Sequence, residues 1–118
     1  MSASDLASVP AQSWTMICKT EDIFEGMGLR FERVDHPPLA VFNVAGSFHV
    51  TDDTCSHGNA SLADGWLEGD EIECPFHQGR FCVRTGLATA FPAEVPIRIY
   101  QSKVADGQVW VAFEGDKP

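Results

Sequence analysis

The sequence predicts an all-β protein: an antiparallel, sandwich-like framework drawn from both ends of the chain, with a two-loop subdomain inserted between them. Three observations carry this prediction. Apolar and polar residues alternate at period two in segments near both ends of the chain. Turn dipeptides separate those segments, notably Ala45-Gly46 and Asp106-Gly107. No segment keeps a helical period over three turns.

In chain order, residues 1–12 are small, polar and unpatterned, so they read as a frayed tail ahead of a single domain over 13–118. Trp14, Met16 and Cys18 alternate with Thr15, Ile17 and Lys19 and predict a first strand. Thr20 to Gly26 carries a helix-start residue and a stop glycine, enough for one short helical turn at most. Leu29 to Val34 alternates as a second strand, and Pro37-Pro38 is expected to interrupt the strand pattern before Leu39. Leu39 to Val44, the Ala45-Gly46 turn and Ser47 to Thr51 predict a hairpin. Ile97 to Val104 and Gln108 to Phe113 predict another, closed by Asp106-Gly107. Between the two frameworks lies an insert over about 52–96, rich in glycine and expected to be mostly loop.

Composition narrows the function. The chain of 118 residues has 44% hydrophobic and 21% charged residues, which is globular. Its formal charge of -9 makes it a poor general binder of nucleic acid, whose phosphates it would repel. It is better suited to meeting a basic protein surface. No apolar run approaches the roughly 20 residues of a spanning helix, so no membrane contact is expected. The first dozen residues lack the basic and apolar regions of a secretory signal, which points to the cytoplasm. Cysteines stay reduced there, so the four present are expected to be metal ligands or core residues rather than disulfides.

The insert carries the chemistry. Cys55-Ser-His57 is followed after sixteen residues by Cys74-Pro-Phe-His77. Each of two glycine-bearing loops thus supplies one sulfur and one nitrogen. A structural zinc finger generally pairs its cysteines in one knuckle and its histidines in another. The mixed pairs instead suit a two-iron site, with Cys55 and Cys74 on one iron and His57 and His77 on the other. That is the ligation of a Rieske [2Fe-2S] centre.

The segment from Cys55 to Phe81 closely resembles the Rieske-type ferredoxins of bacterial aromatic-ring-hydroxylating dioxygenase systems, the biphenyl and naphthalene systems in particular. Val83-Arg-Thr-Gly86 and the Asp106-Gly107 hairpin continue the similarity, which covers roughly residues 14–114. The resemblance implies a small all-β Rieske domain holding one [2Fe-2S] cluster. It implies one-electron transfer from a flavoprotein NAD(P)H ferredoxin reductase to a terminal oxygenase. It implies no catalysis by the chain alone.

Departures from a sister family refine the expectation. Rieske proteins of respiratory and photosynthetic complexes carry an extra cysteine in each cluster loop, where this chain has Ala60 and Phe76. They also carry a Ser and a Tyr after the second histidine, where this chain has Gly79 and Phe81. Without those hydroxyl donors the reduced cluster is less stabilised. The potential is therefore expected toward the low end of the roughly −150 to +300 mV Rieske range. Glycine-turn N–H groups at Gly58 and Gly79 are expected to donate toward the cluster, and Phe91-Pro92 to help cover it. The imidazole edges of His57 and His77 are expected to face a partner.

Rival readings attach to the same residues. The four ligands would also make a zinc-stabilised interaction module. The fold would serve as a small subunit of a nitrite-reductase-type enzyme, or as a detached piece of a Rieske oxygenase. The last needs a mononuclear iron site of two histidines and a carboxylate, and only His36 and His49 are left for it. Cys18 and Cys82 read as core residues, and His36 and His49 as surface or edge histidines. Trp14, Trp66 and Trp110 read as core or semi-buried anchors. Glu68, Asp70, Glu71 and Glu73 read as a solvated face, with docking to a basic partner as the alternative.

Overall fold

The computed structural model describes residues 14–33, 36–56, 60–76 and 78–113. The tail at 1–12, His57, Gly58 and His77 lie outside the described residues.

Among the described residues, ten strands form two antiparallel sheets. The first sheet uses β1 (Trp14–Lys19), β2 (Gly28–Arg33), β3 (His36–Val44), β4 (Ser47–Asp52), β9 (Ile99–Ala105) and β10 (Gln108–Ala112). Its order is β1-β10-β9-β4-β3-β2, so strands from both ends of the chain interleave. The second uses β5 (Trp66–Glu68), β6 (Glu71–Glu73), β7 (Arg80–Cys82) and β8 (Ala88–Ala90), in sequential order. The expected all-β framework with an inserted subdomain is what the chain builds. Single 3-10 turns occur at Thr20–Asp22 and Leu62–Asp64.

The hairpins obey their turn chemistry. Asp106 (φ 56°) and Gly107 (φ 71°) both take the left-handed conformation that a tight two-residue turn needs. Gln108 then faces Ala105, and Val109 faces Val104. Ala45 and Gly46 do the same between β3 and β4, at φ 52° and 94°.

Two expectations need correction. The proline pair does not interrupt the strand: β3 starts at His36 and runs through Pro37-Pro38. A register shift lies opposite, between Phe31 and Arg33 of β2. The prolines thus stand at the start of β3 beside an irregular stretch of ladder, where a missing N–H costs little. The insert is also more than loop, because it carries the whole four-stranded second sheet.

β3 links the two halves of the protein through its period of two. Leu39 and Val41 enter a core with Ile17, Val50, Tyr100, Val109 and Val111. Ala40 and Phe42 point the other way, into a core with Leu62, Ile72, Phe81, Val83 and Ile97. Cys55 and Cys74 belong to this second core. Asn43, also buried, ties the neighbouring segments: its Nδ2 donates to the Ile23 carbonyl at 2.8 Å and its Oδ1 accepts the Gly46 N–H at 2.8 Å.

Candidate metal centre

The first ligand loop leaves the end of β4 and returns at the 3-10 turn. The Leu62 N–H donates to the Asp53 carbonyl at 2.7 Å, and the Cys55 N–H to the Ala60 carbonyl at 3.0 Å. Thr54 and Ser61 form a bridge between these bonds. Asp53 adds its side chain, whose Oδ1 accepts the Ala63 N–H at 2.9 Å. The loop is therefore a short ladder with Cys55 near its tip.

The second loop joins β6 to β7. Its neck is closed by the Cys74 N–H, which donates to the Gly79 carbonyl at 2.7 Å. The Phe76 N–H donates to the Cys74 Sγ at 3.4 Å. A backbone amide aimed at sulfur favours its thiolate form.

A third segment, residues 91–97, braces both loops. The Ser56 hydroxyl donates to the Val95 carbonyl at 2.6 Å, which ties this segment to the first loop. Ala93 lies against Gly79 of the second. Phe91-Pro92 carries a cis peptide bond, and Phe91 is 80% exposed. The segment thus lies beside the ligand loops as expected, with the Phe91 ring in solvent.

These loops bring Cys55 and Cys74 together. Both are buried, neither is in a disulfide, and their side chains are in hydrogen-bonding contact. Burial pushes the Cys74 thiol up to about 11, and the neighbouring Cys55 adds to the rise, against the Phe76 N–H. The raised Cys74 thiol keeps its proton until a metal cation replaces it. This donor pair fits two sulfur ligands on one iron. No third donor joins them among the described residues, and the two histidines of the motif lie outside that set.

Cys18 and Cys82 stand apart from the pair. Cys18 is buried in the framework core, and burial, with Asp22 nearby, pushes it up to about 11. Cys82 is half-buried. Burial alone would raise its pKa, but the Thr85 hydroxyl and the Arg84 and Thr85 N–H groups bring it below the ordinary thiol value.

Other expectations are corrected in part. Trp66 is no anchor, being 63% exposed on β5. The acidic residues are not simply a solvated face, because Arg80 gathers three of them. Its guanidinium lies 2.9 Å from Glu68, 3.4 Å from Glu71 and 2.9 Å from Glu73. Asp70 pairs with Arg84 at 2.7 Å. His36 is half-buried, its ring stacked edge-on against Phe113 at 4.7 Å between centroids.

Sequence reasoning missed Arg80, Asp53 and Ser56. Their only sequence signal is position: Asp53 and Ser56 flank Cys55, and Arg80 follows Gly79. Their partners come from elsewhere in the fold.

The chain's relatives agree with this geometry. Residues 13–101 match the Rieske [2Fe-2S] domain. Ferredoxin CarAc of Metapseudomonas resinovorans is 46% identical over 103 residues, covering 87% of this chain and 96% of that protein. The ferredoxin component of biphenyl 2,3-dioxygenase from Rhodococcus jostii is 48% identical over 101 residues, covering 86% and 94%. A chain in the solved complex of reduced oxygenase and oxidized ferredoxin in carbazole 1,9a-dioxygenase superposes with a TM-score of 0.81 at 46% identity, covering 86% of this chain and 94% of that one. With its paired buried thiols on the two ligand loops, this chain belongs to the Rieske [2Fe-2S] domain family, whose group is a single two-iron, two-sulfide cluster.

Proposed function

We propose that the chain is the electron-carrying ferredoxin of a multicomponent aromatic-ring-hydroxylating dioxygenase. It would take one electron at a time from a flavoprotein NAD(P)H reductase and pass it to a terminal oxygenase. Relatives named as ferredoxin components of such systems support this, as does the relative solved together with an oxygenase. In this reading the chain performs no catalysis alone. A reducing, cytoplasmic setting would keep the ligand thiols available to iron. No described helix is long and apolar enough to cross a membrane.

In the same proposal Cys55 and Cys74 hold one iron, and His57 and His77 hold the other, within one domain over 13–118. The cluster, when bound, supplies a one-electron acceptor whose charge falls from formally neutral to −1. The chain's residues do the rest. The necks at Asp53–Leu62 and Cys74–Gly79 keep the thiols together, and the Phe76 N–H favours the thiolate at Cys74. Phe81, fully buried at the position where sister proteins carry a hydroxyl, supports a low potential. Exposed apolar side chains at Phe76, Phe91 and Val95 surround the loops and offer a partner a surface that sheds water readily.

The single observation that carries this reading is the contact between two buried, unbridged thiols from separate loops. Reconstitution tests it. With NADH, a dioxygenase reductase and its oxygenase, the loaded protein should restore turnover of an aromatic substrate. A loaded protein that reductase cannot reduce, or that cannot reduce oxygenase, would overturn the carrier role.

A further inference from the structure

We infer that Arg30 and Asp53 form a charge-compensating ion pair that positions the first ligand loop and keeps the cluster's potential above the value a lone Asp53 would impose. The inference rests on the reading of Cys55 as a cluster ligand.

Asp53 is fully buried and bonded on three sides. Its N–H donates to the Pro38 carbonyl at 3.0 Å, and its carbonyl accepts the Leu62 N–H at 2.7 Å. Its Oδ1 accepts the Ala63 N–H at 2.9 Å. Its Oδ2 accepts no hydrogen bond from the described residues. The charge on that side is met by the Arg30 Nη1, 3.5 Å away.

The partner comes from the framework. Arg30 lies on β2 opposite Ala40 of β3, and cross-strand partners share a face. Ala40 faces the core that holds Cys55 and Cys74, so Arg30 reaches over the same side of the sheet to the loop. Its Nη2 is held by Glu32 at 2.9 Å. The guanidinium is half-exposed, whereas the carboxylate it meets is buried.

This geometry has an electrostatic consequence. The Asp53 and Cys55 α-carbons are two peptide steps apart, at most about 7.6 Å. A buried, uncompensated carboxylate on the same loop repels an incoming electron with little screening. Arg30 offsets that repulsion while it anchors the loop. The ion pairs of Arg80 differ in that Glu68 is open to solvent and Glu71 only half-buried, which weakens their reach.

The test is the midpoint potential of purified, anaerobically prepared protein, with iron and sulfide measured on each sample. Arg30→Gln should lower the potential, and Arg30→Lys should lower it less. Asp53→Asn should raise it, and the double variant should return toward wild type. A purely structural role would shift Arg30→Gln and Asp53→Asn in the same direction, because both break the same contact. That result, or an unchanged potential in loaded Arg30→Gln, would overturn the inference. If Asp53→Asn does not fold, the two Arg30 variants decide, since their side chain is half-exposed. Loss of cluster from Arg30→Gln but not Arg30→Lys supports the positioning role, and loss from both contradicts charge compensation. Wild-type protein without iron and sulfide would end the ligand assignment itself, which is a separate failure.

Discussion

Gly79 is pressed against Ala93: a methyl group on Gly79 would stand 2.9 Å from both the nitrogen and the Cβ of Ala93. Because Gly79 also accepts the Cys74 N–H, this contact sets how far the second ligand loop stands from the bracing segment. Gly79→Ala should therefore destabilise the protein by about 1–3 kcal/mol, the usual cost of overpacking, and reduce its iron content. Thermal unfolding and iron analysis check this. Part of the clash is with backbone, so Ala93→Gly should restore only a fraction of the loss.

The three cysteines of the insert should separate into two classes. Cys55→Ser and Cys74→Ser should each bring iron and acid-labile sulfide to background. Cys82→Ser should keep full loading, because Cys82 lies on β7, outside the core that holds the paired thiols. Iron and sulfide assays on the three variants check this, and an unloaded Cys82→Ser would contradict it.

Arg80→Gln should release three carboxylates on the second sheet. The group lies at the surface with Glu68 well exposed, so the melting temperature should fall by no more than a few degrees. The deficit should shrink in about 0.5 M salt, which screens the freed like charges. A deficit unaffected by salt would mean that the arginine acts through packing.

His49 on β4 gives the protein an acid-sensitive group. Burial lowers its pKa below the ordinary 6.5, Arg84 lowers it further, and Asp70 partly opposes them. The unfolded chain therefore binds this proton first as pH falls. Stability is full above about 6.5 and declines as the pH drops below that value. His49→Gln should flatten this decline, as measured by denaturant unfolding at about pH 7.5 and 5.5. Equal losses in variant and wild type would exclude His49 as the cause.

Much of the framework is legible in the sequence because its strands alternate over five or more residues. β1 and the β9–β10 hairpin come from period-two patterning and Asp106-Gly107. The strands of the second sheet are not legible, since three residues such as Trp66–Glu68 cannot establish a period. β3 misleads because a proline pair reads as a break, yet it occupies the strand's start. The two thiols are legible because their loop spacing is local. Their supports are not: Ser56 to Val95, Gly79 to Ala93 and Arg30 to Asp53 join residues far apart in sequence, and only the fold brings them together.

In the proposed ligation sulfur holds one iron and nitrogen the other. Mössbauer spectroscopy of anaerobically prepared, iron-57-loaded protein tests it most directly. Two inequivalent iron sites should appear in equal amounts, with the added electron on reduction residing at one of them. One class of equivalent, all-sulfur irons, or folded protein holding stoichiometric zinc in place of iron, would contradict it.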